Sequence, residues 1–320
     1  MTKLLVLFIA SFGSLAAGAL PAAVLRRRLP DAQRRLDRVS AGLKYASIFA
    51  VSVLPTVSSF WTLRIPMARL AFVPLLGLLA VAAGGAGGLL ASRLLRLAPP
   101  RAASMFCCGL FTNLGTLGSL AAFVFFGERG FAVAQMYNML EQLTYYAVGF
   151  PMVDRIVNGG GGRLIDLSGL RRHPAVFIPL AAMAAGGILN LLGVPRPGIV
   201  PAVSGVFVIL NAVILGLGIG LTLRVGRIGR YGREMGASAV VKFALVPALV
   251  IPAAWALGLG GIDGGLALKV VALLAFMPVG FFAMIPPTLY GGDLDLANSG
   301  WLATTAAMLG ILPVLAVILA

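Results

Sequence analysis

The basic residues of this chain sit in every second gap between long apolar stretches, and no other feature constrains the fold as strongly. A stretch of about 20 apolar residues matches the roughly 30 Å hydrocarbon core of a bilayer at the helical rise of about 1.5 Å per residue. Ten spans are expected, near 4–24, 39–62, 70–92, 103–126, 131–153, 174–194, 199–222, 235–258, 268–290 and 296–319. The first, third, fifth and seventh gaps carry Arg26, Arg27, Arg28, Arg34, Arg35 and Arg38; Arg93, Arg96 and Arg101; Arg155, Arg163, Arg171 and Arg172; and Arg224, Arg227, Arg230 and Arg233. These are 17 of the 25 lysines and arginines. The alternate gaps hold only Arg64 and Arg69, then Arg129, then Arg196, with Lys269 at the edge of the last. Positive charge is retained on the cytoplasmic side, so the crowded gaps are expected inside, with both termini outside a plasma membrane crossed many times.

Composition supports an all-α membrane protein. Charged residues make up 11% of the chain and hydrophobic ones 60%, with a mean hydropathy of +1.00, against about 25% charged residues in a soluble domain. The net charge of +15 follows from the positive-inside bias, so no nucleic acid is expected as a partner. Cys107 and Cys108 are adjacent inside an apolar stretch, which suits neither an ordinary disulfide nor a zinc site. Lys3, an apolar run and Ala16-Ala17-Gly18-Ala19 resemble a signal peptide, but Arg26-Arg27-Arg28 follow at once and resist export. The first helix is therefore expected to be retained.

The longest polar stretch, from Asn158 to His173, opens on four glycines and reads as a cytoplasmic linker over 158–173. It separates a first five-helix repeat, 1–157, from a second, 174–320. An odd number of spans per half turns the second half upside down, the topology of inverted-repeat transporters. The fourth and ninth spans, which correspond in the two halves, are both rich in helix breakers: Asn113-Leu114-Gly115-Thr116-Leu117-Gly118 in one, Met277-Pro278-Val279-Gly280 and Pro286-Pro287 in the other. One reading makes them broken helices whose ends meet a substrate near the midplane. The other makes them closely packed helices with a kink at Pro278.

Two ionisable residues fall deep inside spans. Lys242 lies nine residues beyond Arg233, and Glu141 eleven beyond Gly130, which places them about 13 and 16 Å from opposite faces. Lys242 reads as an anion-attracting cation, or as a side chain that snorkels to the interface. Glu141 reads as a proton or cation carrier, or as a structural hydrogen-bonding group. Asn138, Glu141 and Gln142 share one helical face by their spacing and form the candidate ion-coupling set. The candidate substrate-binding set is Asn113, Gly115, Gly118, Pro278, Gly280 and Lys242. Asn211 and the Thr304-Thr305 pair are weaker candidates for which packing is the simpler reading. Asp293 and Asp295 are expected to be solvated.

The order of these motifs resembles the auxin efflux carrier family. Asn113 to Gly118 looks like its Asn-x-Gly-x-x-Gly segment, and Met277-Pro278 with Tyr290-Gly291 is similar to its ninth helix. Leu54-Pro55, Asn190 to Pro195 and Lys242 to Pro247 also fit, so the likeness runs over nearly the whole chain. The resemblance implies a ten-helix, 5+5 inverted-repeat fold related to the bile acid/sodium symporters. It implies a scaffold of spans one, two, six and seven and a mobile transport domain in which spans four and nine cross. The chain departs from the family at Leu120, where proline is usual, and at Phe282, where asparagine is usual.

The function expected is secondary active transport of a small organic anion, an auxin-like carboxylate or a dicarboxylate, with H+ or Na+ as coupling ion. A sodium-coupled bile-acid-like symporter and a non-transporting receptor or scaffold are the alternatives. With one histidine, no His-Glu-x-x-His and no Gly-x-Ser-x-Gly, no catalytic constellation is assembled, and no enzyme activity, cofactor or metal is expected. The bilayer and a second copy of the chain complete the expected partners. The orientation is tested by Ala320→Cys. The new thiol should react with an impermeant maleimide added outside intact cells; reaction from the cytoplasmic side alone overturns the orientation.

Overall fold

The structure, a computed structural model, describes residues 2–29, 31–63, 70–159, 177–223 and 230–319. The expected linker, apart from its first two residues, lies outside them, as does His173. In chain order the described helices are α1 Thr2–Arg28, α2 Ala32–Trp61, α3 Val73–Leu94, α4 Pro99–Leu110, α5 Ser119–Asn138, α6 over 141–158, α7 Phe177–Leu191, α8 Val200–Thr222, α9 Gly232–Ala256, α10 Leu266–Ala275, α11 Phe281–Tyr290 and α12 Leu294–Ile318. No strand occurs among the described residues; a single antiparallel bridge joins Thr112 and Val279. The chain is thus an all-α membrane protein, with seven stretches long and apolar enough to cross a bilayer: α1, α2, α3, Leu114–Asn158, α8, α9 and α12. Two shorter apolar helices, α7 and α11, accompany them.

Leu114–Asn158 is 45 residues long and would measure about 68 Å as one rod. It does not run straight. Gly127 has φ 69° and ψ −159°, a conformation that glycine adopts at little cost. The rings of Phe123 and Phe131 lie 6.4 Å apart, whereas eight residues of straight helix would separate them by about 12 Å. The chain therefore folds back at Gly127. A second irregularity, a turn at Met139 and Leu140, interrupts the helix expected over 131–153. Five further helical turns are widened by one residue, at Ile9–Gly13, Ser47–Val51, Leu114–Gly118, Tyr145–Gly149 and Val241–Leu245.

Contacts divide the chain into two units. The first comprises Met1–Arg64, Gly115–Gln135 and Ala175–Arg224. Its helices α1 and α8 meet on small residues: a Cβ on Gly18 would stand 3.1 Å from Gly220 Cα. Such contacts let helices associate in lipid, where apolar side chains gain nothing by leaving the solvent. The free carbonyls at the end of α8 are satisfied by Arg26, which donates to Leu221 O and Leu223 O at 2.6 Å each. Asn190 does the same for α2, donating to Trp61 O at 2.9 Å and Leu63 O at 3.1 Å. Arg196 pairs with Glu128 at 2.8 Å, and both bond the Ser58 hydroxyl.

The second unit comprises Ile65–Leu114, Met136–Pro174 and Val225–Ala320. Helices α3 and α4 pack through Gly84, Gly88 and Gly109. At one end Arg101 holds Glu234 at 3.7 Å and Asp293 at 3.5 Å, with its guanidinium 5.1 Å from the centre of the Tyr231 ring. Asp293 caps α12 by accepting from Leu296 N at 3.0 Å, and it also accepts from the Tyr231 hydroxyl. The expectation that Asp293 is merely solvated is corrected here, because helix capping and an arginine recruit it. Burial and the bond to Asp293 raise the Tyr231 phenol above its ordinary pKa.

A Cβ on Gly109 would stand 2.9 Å from Gly88 N, so Gly109→Ala should destabilise the detergent-purified protein by about 1–3 kcal/mol. Gly236, on α9, has open space around it, and Gly236→Ala should unfold at or above the wild-type temperature. Equal thermal unfolding of Gly109→Ala and wild type would contradict the close packing of α3 on α4.

Candidate functional site

In the second unit α4 stops at Leu110, and the chain continues with extended geometry at Phe111 (φ −77°, ψ 128°). Likewise α10 stops at Ala275, and Gly280 is extended (φ −80°, ψ 152°). Pro278 removes a backbone donor, so a helix cannot continue through it with every bond made. The two extended segments pair antiparallel: Asn113 N–H donates to Pro278 O at 2.9 Å, and Gly280 N–H donates to Phe111 O at 3.0 Å. Val279 N–H donates to the Thr304 hydroxyl at 3.1 Å, and Thr112 N–H to the Tyr145 hydroxyl at 2.8 Å. Position 280 requires glycine, since a Cβ there would stand 2.6 Å from Thr112 O.

A chain of side chains runs through this pairing. Lys242, 1% exposed, donates from Nζ to Thr112 Oγ1 at 2.7 Å. Tyr145 accepts from Thr112 N and donates its hydroxyl proton to Glu141 Oε1 at 2.6 Å. Lys242 and Tyr145 both stand in widened turns, which re-aim side chains and recur at functional sites. No ion pair within 4 Å joins Lys242 to Glu141 among the described residues. The link passes through Thr112 and Tyr145. Lys242 does not snorkel; its ammonium ends inside the unit, close to the glycine surface at Gly84.

The structure thus brings together Asn113, Pro278, Gly280 and Lys242, with Glu141 at the far end of the hydrogen-bonded chain. Gly115 and Gly118 belong to the widened turn Leu114–Gly118 and group with the first unit. There Gly115 borders a cavity of about 10 Å³ that Ser52, Thr116, Gln135 and Asn211 also line, room for one water. A turn at Met139–Leu140 lies between Asn138 and Glu141. Asn138 and Gln142 are half-buried, and neither takes part in the Lys242–Glu141 chain. Thr112 and Tyr145 were not singled out from the sequence. Tyr145 had a signal, one helical turn after Glu141; Thr112 had none beyond its place in the breaker-rich segment. Thr304, for which packing was the simpler reading, caps a backbone donor of the interruption. Asn211 accepts from Ser47 at 2.6 Å within the first unit. The free cysteines Cys107 and Cys108 are both buried, and no cluster of three or more His, Cys, Asp or Glu suited to a metal occurs among the described residues.

No protein-family model matches this chain, and no curated protein matches it.

Thr112→Val keeps the shape of the side chain but removes the acceptor of a buried ammonium. It should lower stability by about 1–3 kcal/mol or more, and Thr112→Ser should recover most of the loss. The readout is thermal unfolding in detergent, where equal midpoints for Thr112→Val and wild type would dissolve the proposed chain.

Proposed function

We propose that this protein is a secondary transporter that moves a small organic anion across the plasma membrane by alternating access. The observation that carries the reading is the buried Lys242 ammonium, held on Thr112 where two interrupted helices pair. A charge at this depth costs several kcal/mol and is kept in membrane proteins chiefly where it serves a substrate or ion path. Non-helical backbone inside a span is likewise tolerated only where it is buried in protein or lines a cavity. The two features coincide at one place. The helical segments that restart after the interruptions add backbone N–H groups and partial positive charge.

The fold is read as a ten-pass 5+5 inverted repeat. In support, the fold-back at Gly127 divides Leu114–Asn158 into two passes, and α7 and the α10–α11 pair add the remaining two to the seven long spans. The interruptions then fall in the fourth pass of each half, as in transporters with broken helices. The segments read as the first, second, sixth and seventh passes group in the first unit, together with Gly115–Gln135, which favours a mechanism in which one bundle rocks against another. The resemblance to the auxin efflux carriers points the same way. Asn113 and Lys242 are assigned to the substrate carboxylate, with Gly280 allowing the close pairing that positions them, and Glu141 to the coupling ion. Phe282, where the family tends to have asparagine, favours a monocarboxylate with an apolar body over a dicarboxylate.

The test is uptake into proteoliposomes of labelled indole-3-acetate, malonate and taurocholate. At least one carboxylate should accumulate, and Lys242→Met should reduce its initial rate more than ten-fold while the variant still elutes as a folded, monodisperse species. Transport of cations or neutral sugars with no anion moved would defeat the reading.

A further inference from the structure

The charges buried around the paired interruption point to a specific coupling ion and stoichiometry. Resting on the anion-transport reading above, we propose that each monovalent anion bound beside Lys242 is accompanied by one proton taken up at Glu141, so that the protein is an electroneutral proton–anion symporter. Lys242 and Glu141 are 1% and 6% exposed. In their ordinary protonation states they contribute one positive and one negative charge to the same hydrogen-bonded chain. The other titratable groups facing them are Tyr137 and Tyr145, on the stretch that carries Glu141, and Cys108 from α4. All three are neutral in their ordinary state. Helix α3 presents glycine to the ammonium at Gly84, and α12 presents the Thr304 hydroxyl to the interruption. The empty site therefore sums to zero charge.

A bound anion changes that sum to minus one, in a region where an uncompensated charge is strongly penalised. A proton on Glu141 restores zero, because the anion then balances the ammonium and the acid is neutral. Loaded and empty carriers are both uncharged at the site, and each can complete the transport cycle without moving net charge through the low-dielectric region. The geometry suits a proton. Tyr145 occupies Glu141 Oε1, so the proton adds to Oε2 and leaves the bonds of Tyr145 to Oε1 and to Thr112 N in place. A metal cation would need several oxygen ligands at once and would approach a site that already holds an ammonium. Glu234, the other buried carboxylate among the described residues of this unit, is engaged by Arg101 and is not available for this role.

The experiment measures protons and gradients on the full chain. Indole-3-acetate, ionised at neutral pH, is mixed with the detergent-purified protein in weakly buffered choline medium containing a pH indicator. About one proton should be taken up per anion bound, and none by Glu141→Gln. In proteoliposomes, an inside-alkaline pH gradient should drive accumulation above that of protein-free vesicles. A potassium diffusion potential or a sodium gradient should leave the rate unchanged. Glu141→Gln should retain exchange, lose accumulation, and become sensitive to membrane potential, because Lys242 alone then charges the empty carrier. Anion binding without proton uptake, or transport by wild type that follows sodium or potential, overturns the proposal and leaves the anion reading standing. If indole-3-acetate, malonate and taurocholate all fail to bind the wild type, the anion reading falls and this proposal with it. The wild-type proton count and gradient dependence decide the matter even where the variant fails to fold.

Discussion

A backbone amide or carbonyl in hydrocarbon must find a partner within the protein, and the candidate site depends on how that requirement is met at two helix interruptions. Around Phe111–Asn113 and Met277–Gly280 the helical ladder is lost, and the freed groups turn to each other, to Thr304 and to Tyr145. The other features follow from this pairing. Close approach of the two extended segments excludes any side chain at position 280. The turn of the backbone at Thr112 brings its hydroxyl to Lys242 and its amide to Tyr145, whose own hydroxyl then reaches Glu141.

Within each unit the packing relies on small residues. In lipid the hydrophobic effect does not draw helices together, so contact comes from surfaces that allow close approach. Gly84, Gly88 and Gly109 supply one such surface in the second unit, and Gly18 and Gly220 one in the first. Helix ends are closed by side chains from neighbouring elements: Arg26 on α8, Asn190 on α2 and Asp293 on α12. A buried charge adds little to stability compared with an apolar residue of similar size, and the Lys242 nitrogen is held by the Thr112 hydroxyl.

Much of the architecture was legible in the sequence. Length and hydropathy placed the apolar helices, because a bilayer sets both the number of residues per span and their polarity. Helix breakers marked the segments around Asn113 and Pro278, because proline and glycine act on the backbone of their own neighbourhood. Lys242 and Glu141, expected far inside apolar spans, are both buried in the protein. The fold-back at Gly127 also left a trace, since an aromatic–glycine–charged sequence separates two apolar runs there.

What the sequence by itself determined was local or one-dimensional: the apolar helices, the clusters of helix breakers, the alternation of basic gaps, and the presence of two ionisable residues within apolar stretches. The tertiary structure alone decided which partners those residues take. Thr112 and Lys242 are 130 positions apart, and Val279 meets Thr304 from another helix. Glu141 reaches Thr112 through the Tyr145 hydroxyl, one turn along its own helix. A hydrogen bond depends on distances of a few tenths of an ångström between elements whose separation in sequence carries no such information. The sequence states that a polar group is present in an apolar span, and the packing of several helices determines which other group satisfies it.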